Sequence, residues 1–478
     1  MKSLAPILPS FFKHALSDPH LSESLEMWGD EPLFLFSPKD LSEMIEPFER
    51  VFKKAQLPYK MFISQKPAFA PSILREVSEK KSATDVSSVH ELLQAIKANI
   101  APEQIMASGV KNVEYLRTAA MAGVLIACDS LEELLALKQI LETEKRQGNV
   151  LLRLSCNQIL SKVGFESRFG INQEELTQCF QVISSAFGSI KCLGFAFHLN
   201  HGSTTQRVRA LEYALTMYEE FSEFLSFPTY ISIGGGFRVS STGKETWSEF
   251  FSRIKHHLKQ GDEQVSWSKS GLGIEFVDGH LRGRENFVAP SPEVDAEQEL
   301  SALLSTRLSA FGESKVFEVL KDYLITLIVE PGRSVLQPLV AYSAKVQHVK
   351  LLSSGDKAVF LNGNTKHINA SENHLILDPI HIRAHDHLSP STHAYVFGNL
   401  CLESDIFSQR RFFFLHSPVV GDRLVFTHVG AYAAGFSVGR PHSYPEPRRV
   451  CLYPEGEGFC WAEEDKAGCN FEMRMYDN

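Results

Sequence analysis

Between about Asp40 and Arg333 short apolar runs alternate with longer stretches in which apolar positions recur every three or four residues. The run 59–64 has the length and the aromatic and β-branched content of a strand, and 71–80 has the spacing of a helix. Further strands are expected at 104–107, 124–127, 150–154, 193–198, 229–233 and 324–330, with helical patterns at 88–98, 112–122, 130–144 and 205–224 between them. Strands alternating with helices of this length form βα units around a parallel sheet. About eight such units in nearly 300 residues predict a closed (β/α)8 TIM-like barrel, with its chemistry at the C-terminal ends of the strands.

Beyond Arg333 the texture changes. The runs 339–349, 359–361, 411–415 and 423–428 are β-branched and aromatic, separated by Gly-Asp and Ser-Pro turns with few helical patterns. They predict a mostly antiparallel β-sandwich or β-barrel domain over 336–478. The run Pro32-Leu33-Phe34-Leu35-Phe36, within the N-terminal segment 1–42, is expected to add a strand to it. The barrel is then 43–335, and its polar, Gly/Pro-rich stretch 259–299 reads as an inserted loop.

Composition narrows the class. The chain has 478 residues, 44% of them hydrophobic, with 48 Lys+Arg against 57 Asp+Glu and a formal net charge of -9. That is a globular chain of two or three domains, and its mildly acidic balance argues against gripping nucleic-acid backbones. No run of about 18 apolar residues is present to span a bilayer. The first residues are broken by Pro6, Pro9, Lys13 and His14 and offer no continuous apolar leader. The eight cysteines, at 128, 156, 179, 192, 401, 451, 460 and 469, include no C-x-x-C pair and lie mostly in apolar runs. Such usage suits a reducing compartment, and the cytoplasm is the expectation.

Six local features carry chemistry. Lys66 ends the first expected barrel strand, where an amine can form a Schiff base, although an isolated lysine is more often a surface residue. Gly234-Gly235-Gly236 follows the 229–233 strand and frees backbone N–H groups to approach a phosphate. Glu330-Pro331-Gly332-Arg333 ends the last strand with a carboxylate and an arginine suited to a cationic heterocycle and a phosphate; a turn with a surface ion pair is the plainer reading. His198, at another strand end, can stack on a planar ring or be a satisfied core histidine. Cys401, in Gly398-Asn399-Leu400-Cys401-Leu402-Glu403-Ser404-Asp405, can act as an acid or simply pack. Tyr432, in Gly430-Ala431-Tyr432, can donate to a phosphate.

In their order these pieces, together with Thr84-Asp85-Val86-Ser87, Glu166-Ser167-Arg168-Phe169-Gly170 and Arg440-Pro441, resemble the fold-type III pyridoxal-phosphate enzymes. The likeness is to the diaminopimelate, ornithine and arginine decarboxylases, on an alanine racemase-like barrel, over roughly 57–450. It implies pyridoxal 5′-phosphate as cofactor, an amino-acid substrate and a head-to-tail homodimer with shared active sites. By position, Lys66 corresponds to the Schiff-base lysine, His198 to the residue stacked on the pyridine ring and Glu330 to the partner of its nitrogen. Ser203, Gly235, Gly236, Gly332, Arg333 and Tyr432 correspond to the phosphate cradle. Cys401 corresponds to the acid reaching in from the other subunit, with Glu403 and Asp405 near the substrate's distal end.

The departures fall at the substrate end. The position after the cysteine, acidic in the family, is Leu402, with Glu403 one place on. The Arg-Pro-Ala-Leu-Tyr type of segment that binds substrate carboxylates in diaminopimelate decarboxylases is replaced by Leu361-Asn362-Gly363-Asn364-Thr365-Lys366-His367-Ile368-Asn369. Asn200 and His201 lengthen the connection from His198 to Gly202-Ser203. The expected activity is therefore decarboxylation of another amino acid, or of a conjugate bearing one. An amino-acid racemase and a non-catalytic, partner-binding relative are the rivals. His381, His385, His387 and His393, with Asp386, have spacing that can bind zinc, but no cysteine is near and a solvated or substrate-facing loop is the stronger reading, so no metal is expected.

Overall fold

The computed structural model describes residues 3–67, 70–160, 166–199, 203–260, 266–269, 271–283, 294–369, 375–385, 389–436, 439–464 and 473–474. Eight parallel strands close into a barrel: Tyr59–Ser64, Ala83–Val86, Ile105–Ala107, Leu125–Cys128, Gly148–Arg153, Ile190–Ala196, Tyr230–Ser232 and Thr326–Val329. Thr326–Val329 closes the ring, with Leu327 in register with Ile231 on one side and Tyr59 on the other. Seven of these strands coincide with the expected runs. Ala83–Val86 escapes the apolar-run criterion because Thr84 and Asp85 make up half of it, yet both are fully buried.

Alternation along each strand divides the core. Phe62, Met106, Leu125, Leu151, Leu193, Tyr230 and Ile328 fill the interior, whereas Ile63, Ile105, Ile126 and Val150 pack outward against the helices. The loops at the strands' C-terminal ends terminate in residues that satisfy the free amides of the next helix. Ser88, Asn112 and Ser130 accept the N–H groups of Glu91, Tyr115 and Glu133.

The stretch 259–299 is not a plain loop in its described parts. Helix Lys244–Gln260 runs into it, Ile274–Val277 and His280–Gly283 form a hairpin, and helix Ala296–Ser305 begins inside it. Trp267 donates its N–H to Gln409 O at 2.6 Å and sets its ring edge-on to Tyr395 and Phe397 of the β domain. The N-terminal segment fastens this joint, since Leu4 packs with Phe250, Ile254, Leu272 and Ile376, and its N–H donates to Asp378 Oδ2 at 2.6 Å.

The second domain is a ten-stranded, mostly antiparallel sheet. Leu33–Phe36 lies between Val340–Leu351, antiparallel to it, and Arg448–Glu455, parallel to it. The strand is apolar throughout because both its faces are covered. Leu33 and Leu35 pack with Phe12, Leu25 and Trp461, and Phe34 and Phe36 join the main core. Among the described residues no helix is long and apolar enough to cross a membrane.

Candidate active site

Lys66 leaves the first barrel strand in a loop held from three directions. Gln65 N–H donates to Asp85 O at 3.0 Å, Ser64 N–H to Pro331 O at 3.1 Å, and Tyr432 N–H to Pro67 O at 2.7 Å. The helix behind it, Pro71–Glu79, has its first turn capped by a β-domain carboxylate. Glu464 Oε1 accepts from Ser72 N–H at 2.9 Å and from Ser72 Oγ at 2.8 Å, and Glu464 Oε2 accepts from Arg449 Nε at 2.9 Å. The loop's position is thus fixed by both domains.

The Lys66 amine stands 3.7 Å from Asp85 Oδ2, which also accepts the Ser64 hydroxyl at 3.0 Å. Asp85 is fully buried, and its Oδ1 has no hydrogen-bond partner among the described residues. Removal from water pulls the amine's pKa down, but the charges of Asp85 and Glu330 outweigh it, and the net shift is upward. Glu330, at the end of the closing strand, accepts the Ser232 hydroxyl. Desolvation first, and then the charge of Asp85, push its carboxyl pKa up to about 7.

The glycine turn is pressed against both His198 and Glu330. A Cβ on Gly235 would stand 2.2 Å from Glu330 O, and one on Gly234 2.6 Å from His198 Nδ1. Gly234 and Gly236 have φ of 68° and 78°, in the region that favours glycine. Gly235 N–H donates to His198 Nδ1 at 3.3 Å, and Glu330 N–H to Gly234 O at 2.9 Å. Gly332 is equally confined, since a Cβ there would meet Pro67 Cγ at 2.8 Å. Arg333 lies with its guanidinium 5.1 Å from the centre of the Tyr432 ring. Ser203 caps helix Thr204–Glu220, its Oγ accepting Gln206 N–H at 3.2 Å and its own N–H donating to Gln206 Oε1 at 2.8 Å. Its hydroxyl proton remains available to an anion at that helix end.

Lys66, His198, Gly235, Gly236, Glu330, Gly332, Arg333 and Tyr432 are therefore linked by contacts at one end of the barrel, and Asp85 joins them. Asp85 stands in Thr84-Asp85-Val86-Ser87, one of the pieces of the ordered pattern, but has no role assigned to it there; its strand sets it in register with Ser64, two residues before Lys66.

The β-domain residues are placed apart from this group. Cys401 is exposed, as are Leu402 and Glu403, on the loop between Thr392–Phe397 and Phe412–Phe414. Asp405, expected near the substrate's distal end, is buried and satisfied by its own domain. Its Oδ1 accepts Thr365 N–H at 2.9 Å and Thr365 Oγ1 at 2.8 Å, and its Oδ2 accepts Leu400 N–H at 2.8 Å. It buckles the loop and has no face left for substrate. Of the histidine cluster, His381 contacts Asp422 at 2.7 Å, while Asp386 and His387 lie outside the described residues. No group of three metal-ligating side chains forms among the described residues.

Residues 41–275 match the family model for the pyridoxal-binding domain of pyridoxal-dependent decarboxylases. The chain is 26% identical over 436 residues to uncharacterized protein y4yA of Sinorhizobium fredii (strain NBRC 101917 / NGR234), a match covering 89% of this chain and 89% of that protein. It is 22% identical over 436 residues to the diaminopimelate decarboxylase of Aquifex aeolicus, covering 87% of this chain and 85% of that one. The crystal structure of Helicobacter pylori diaminopimelate decarboxylase shares the fold, with a TM-score of 0.65 at 17% identity over 91% of this chain and 94% of that one.

Two expectations follow from the electrostatics. Asp85→Asn removes the nearest carboxylate holding the Lys66 amine up, so the pH midpoint of its reaction with an acylating reagent, read by peptide mass spectrometry, should move down. An unmoved midpoint would show that the pair does not set the amine's charge. Glu330 has a pKa raised from 4.5 to about 7, so the stability it contributes is complete below pH 4.5 and is lost as the pH rises through about 7. Glu330→Gln should therefore melt about 1–3 °C higher than the cofactor-free parent at pH 8, with the gain vanishing near pH 4.5. Calorimetry at the two pH values checks this.

Proposed function

We propose that this chain, which belongs to the fold-type III pyridoxal-dependent decarboxylases, removes the carboxylate of an amino acid or of a conjugate bearing one. The observation that carries the reading is the Lys66 amine, 3.7 Å from the buried carboxylate of Asp85 and in the field of Glu330 at the barrel's C-terminal end.

The side chains fit pyridoxal 5′-phosphate. Asp85 Oδ1 is buried with no partner among the described residues, Gly234 and Gly235 leave no room for a side chain, and Arg333 is braced on Tyr432. Lys66 is the attachment point. The backbone amides of Gly235 and Gly236, with Ser203, Gly332, Arg333 and Tyr432, are the donors and small residues that take the phosphate. His198 would be the ring's stacking partner, and Glu330 would be the carboxylate for the ring nitrogen. Bound there, the cofactor supplies the sink for the electron pair left when carbon dioxide departs.

The chain's own groups then manage protons and position. Once a substrate amine has taken its place, the freed Lys66 amine would lie in the field of Asp85 and Glu330, which favours its protonated form, so it would hold a proton beside the site. Glu330, poised near pH 7, meets a cationic nitrogen as a carboxylate at little cost. Cys401, exposed on its loop, serves the site of a second subunit in a homodimer and returns the proton to the substrate carbon. Leu402 and Glu403 beside it face the substrate's distal end. The apolar Leu402 disfavours a distal ammonium group and directs the enzyme away from diaminopimelate and ornithine. The seven described cysteines are free thiols, in keeping with action in the cytoplasm.

The test is borohydride reduction of purified protein followed by peptide mass spectrometry, with L- and D-amino acids then screened for carbon dioxide release. Pyridoxyllysine is expected at Lys66 and is expected to vanish in Lys66→Ala. Label without carbon dioxide but with inversion of the α-carbon would move the chain to the racemase reading, and no label would move it to the partner-binding one. Cys401→Ala should keep the label and lower turnover by about 10²–10⁴, the usual contribution of a positioned acid. An unchanged turnover would assign the proton to another group.

A further inference from the structure

Arg207 and Glu299 form an ion pair at the back of the glycine turn, with both side chains buried. Arg207 belongs to helix Thr204–Glu220 and is 0% exposed; Glu299 belongs to helix Ala296–Ser305 and is 3% exposed. Arg207 Nε lies 3.3 Å from Glu299 Oε1, and Glu299 Oε2 accepts Arg238 N–H at 3.2 Å. Burying two charges is costly, so a pair kept there must be held by further hydrogen bonds. Those bonds run to the loops that carry the candidate site. Arg207 Nη1 donates to Gly235 O at 2.7 Å and Nη2 to Leu199 O, the residue after His198, at 3.3 Å. The guanidinium also lies 5.0 Å from the centre of the Phe237 ring.

The bond to Gly235 O has a directional consequence. In a trans peptide the C=O and the following N–H point opposite ways. Holding Gly235 O against Arg207 therefore turns Gly236 N–H away from the buried side. Gly236 N–H has no hydrogen-bond partner among the described residues. Between glycines such a peptide is otherwise free to flip, because neither flank has a side chain to oppose it.

We infer that Arg207, neutralised by Glu299, is a positioning residue that locks the Gly235–Gly236 peptide so that Gly236 N–H faces the cofactor's phosphate, and that it ties this turn to the His198 loop. The inference rests on the pyridoxal-phosphate reading above. It also gives 259–299 a consequence, because its last residue supplies the counter-charge. Arg207 acts through Gly235 and Gly236 and touches no substrate.

The test compares pyridoxal 5′-phosphate with pyridoxal, which lacks the phosphate, by titrating each into cofactor-free protein and following the absorbance of the Lys66 adduct. Arg207→Lys keeps the charge but loses the second donor arm, and Glu299→Gln keeps the shape but leaves Arg207 unneutralised. Each should weaken the phosphorylated ligand about tenfold, the scale of one charge-assisted hydrogen bond, while pyridoxal changes less than about twofold. Equal weakening of both ligands, or an unchanged ratio in the two variants, would overturn the positioning role, whatever the melting temperatures show. Wild-type protein that binds neither ligand at Lys66 would overturn the functional reading itself, and this inference with it.

Discussion

The placement of one ammonium group between two carboxylates governs the rest of the site. Lys66, Asp85 and Glu330 come from the first, second and last barrel strands, and they meet only because Thr326–Val329 closes the ring against Tyr59–Ser64. Three ionisable groups removed from water cannot all keep their ordinary behaviour. Asp85 lies closest to the amine, and Glu330 gives way, its carboxyl titrating near 7. Arg153 adds a second positive charge to the field of Lys66 and Glu330, yet desolvation and Asp85 still leave Glu330 only partly ionised near neutrality. A cationic heterocycle would relieve that tension, so the fold's electrostatics favour the kind of ligand its glycine turn and Arg333 are shaped to hold.

The second domain is part of this arrangement. Tyr432 fixes Pro67 through its backbone, Glu464 caps the helix that follows Lys66, and Leu33–Phe36 carries the chain into the β sheet before the barrel begins. These links connect residues hundreds of positions apart, and those made by Tyr432 and Glu464 constrain the few residues around Lys66. A sheet this intimately bonded to the loop that carries Lys66 serves to position it, a requirement wherever reacting atoms must be held to fractions of an ångström.

The barrel is legible in the sequence because its strands are apolar runs and its helices keep a three-to-four period, signals that survive without any tertiary information. Ala83–Val86 is the exception, and it is the strand that bears Asp85: placing a carboxylate in the interior removes the apolar signature by which a strand is read. Lys66, His198, Gly235, Glu330, Arg333 and Tyr432, singled out by their order along the chain, lie together at one end of the barrel. The family resemblance implied that Asp405 lies near the substrate's distal end. Only the fold shows Thr365, forty positions away, satisfying its carboxylate. Arg207 and Glu299, ninety-two positions apart and each ordinary on a helix face, have no local signal at all.

The hydrogen bonds also separate the two ends of the candidate site. The segments that depart from the family pattern, around Asn362–Thr365 and around Asn399–Asp405, are bonded to each other. Asn399 N–H donates to Gly363 O at 3.0 Å, Asn364 Nδ2 to Asn399 Oδ1 at 3.2 Å, and Thr365 to Asp405. None of these bonds involves Lys66, Asp85, Glu330 or the glycine turn. A change in one segment is therefore accommodated by the other within the β domain, and the cofactor end is left undisturbed. On the reading proposed above, that division lets the segments around Leu402 differ without disturbing the groups assigned to pyridoxal phosphate. On the same reading specificity would lie in a hydrogen-bonded unit of two loops, and exchanging Leu402 alone would leave Asp405 and Thr365 still holding the loop in its present shape.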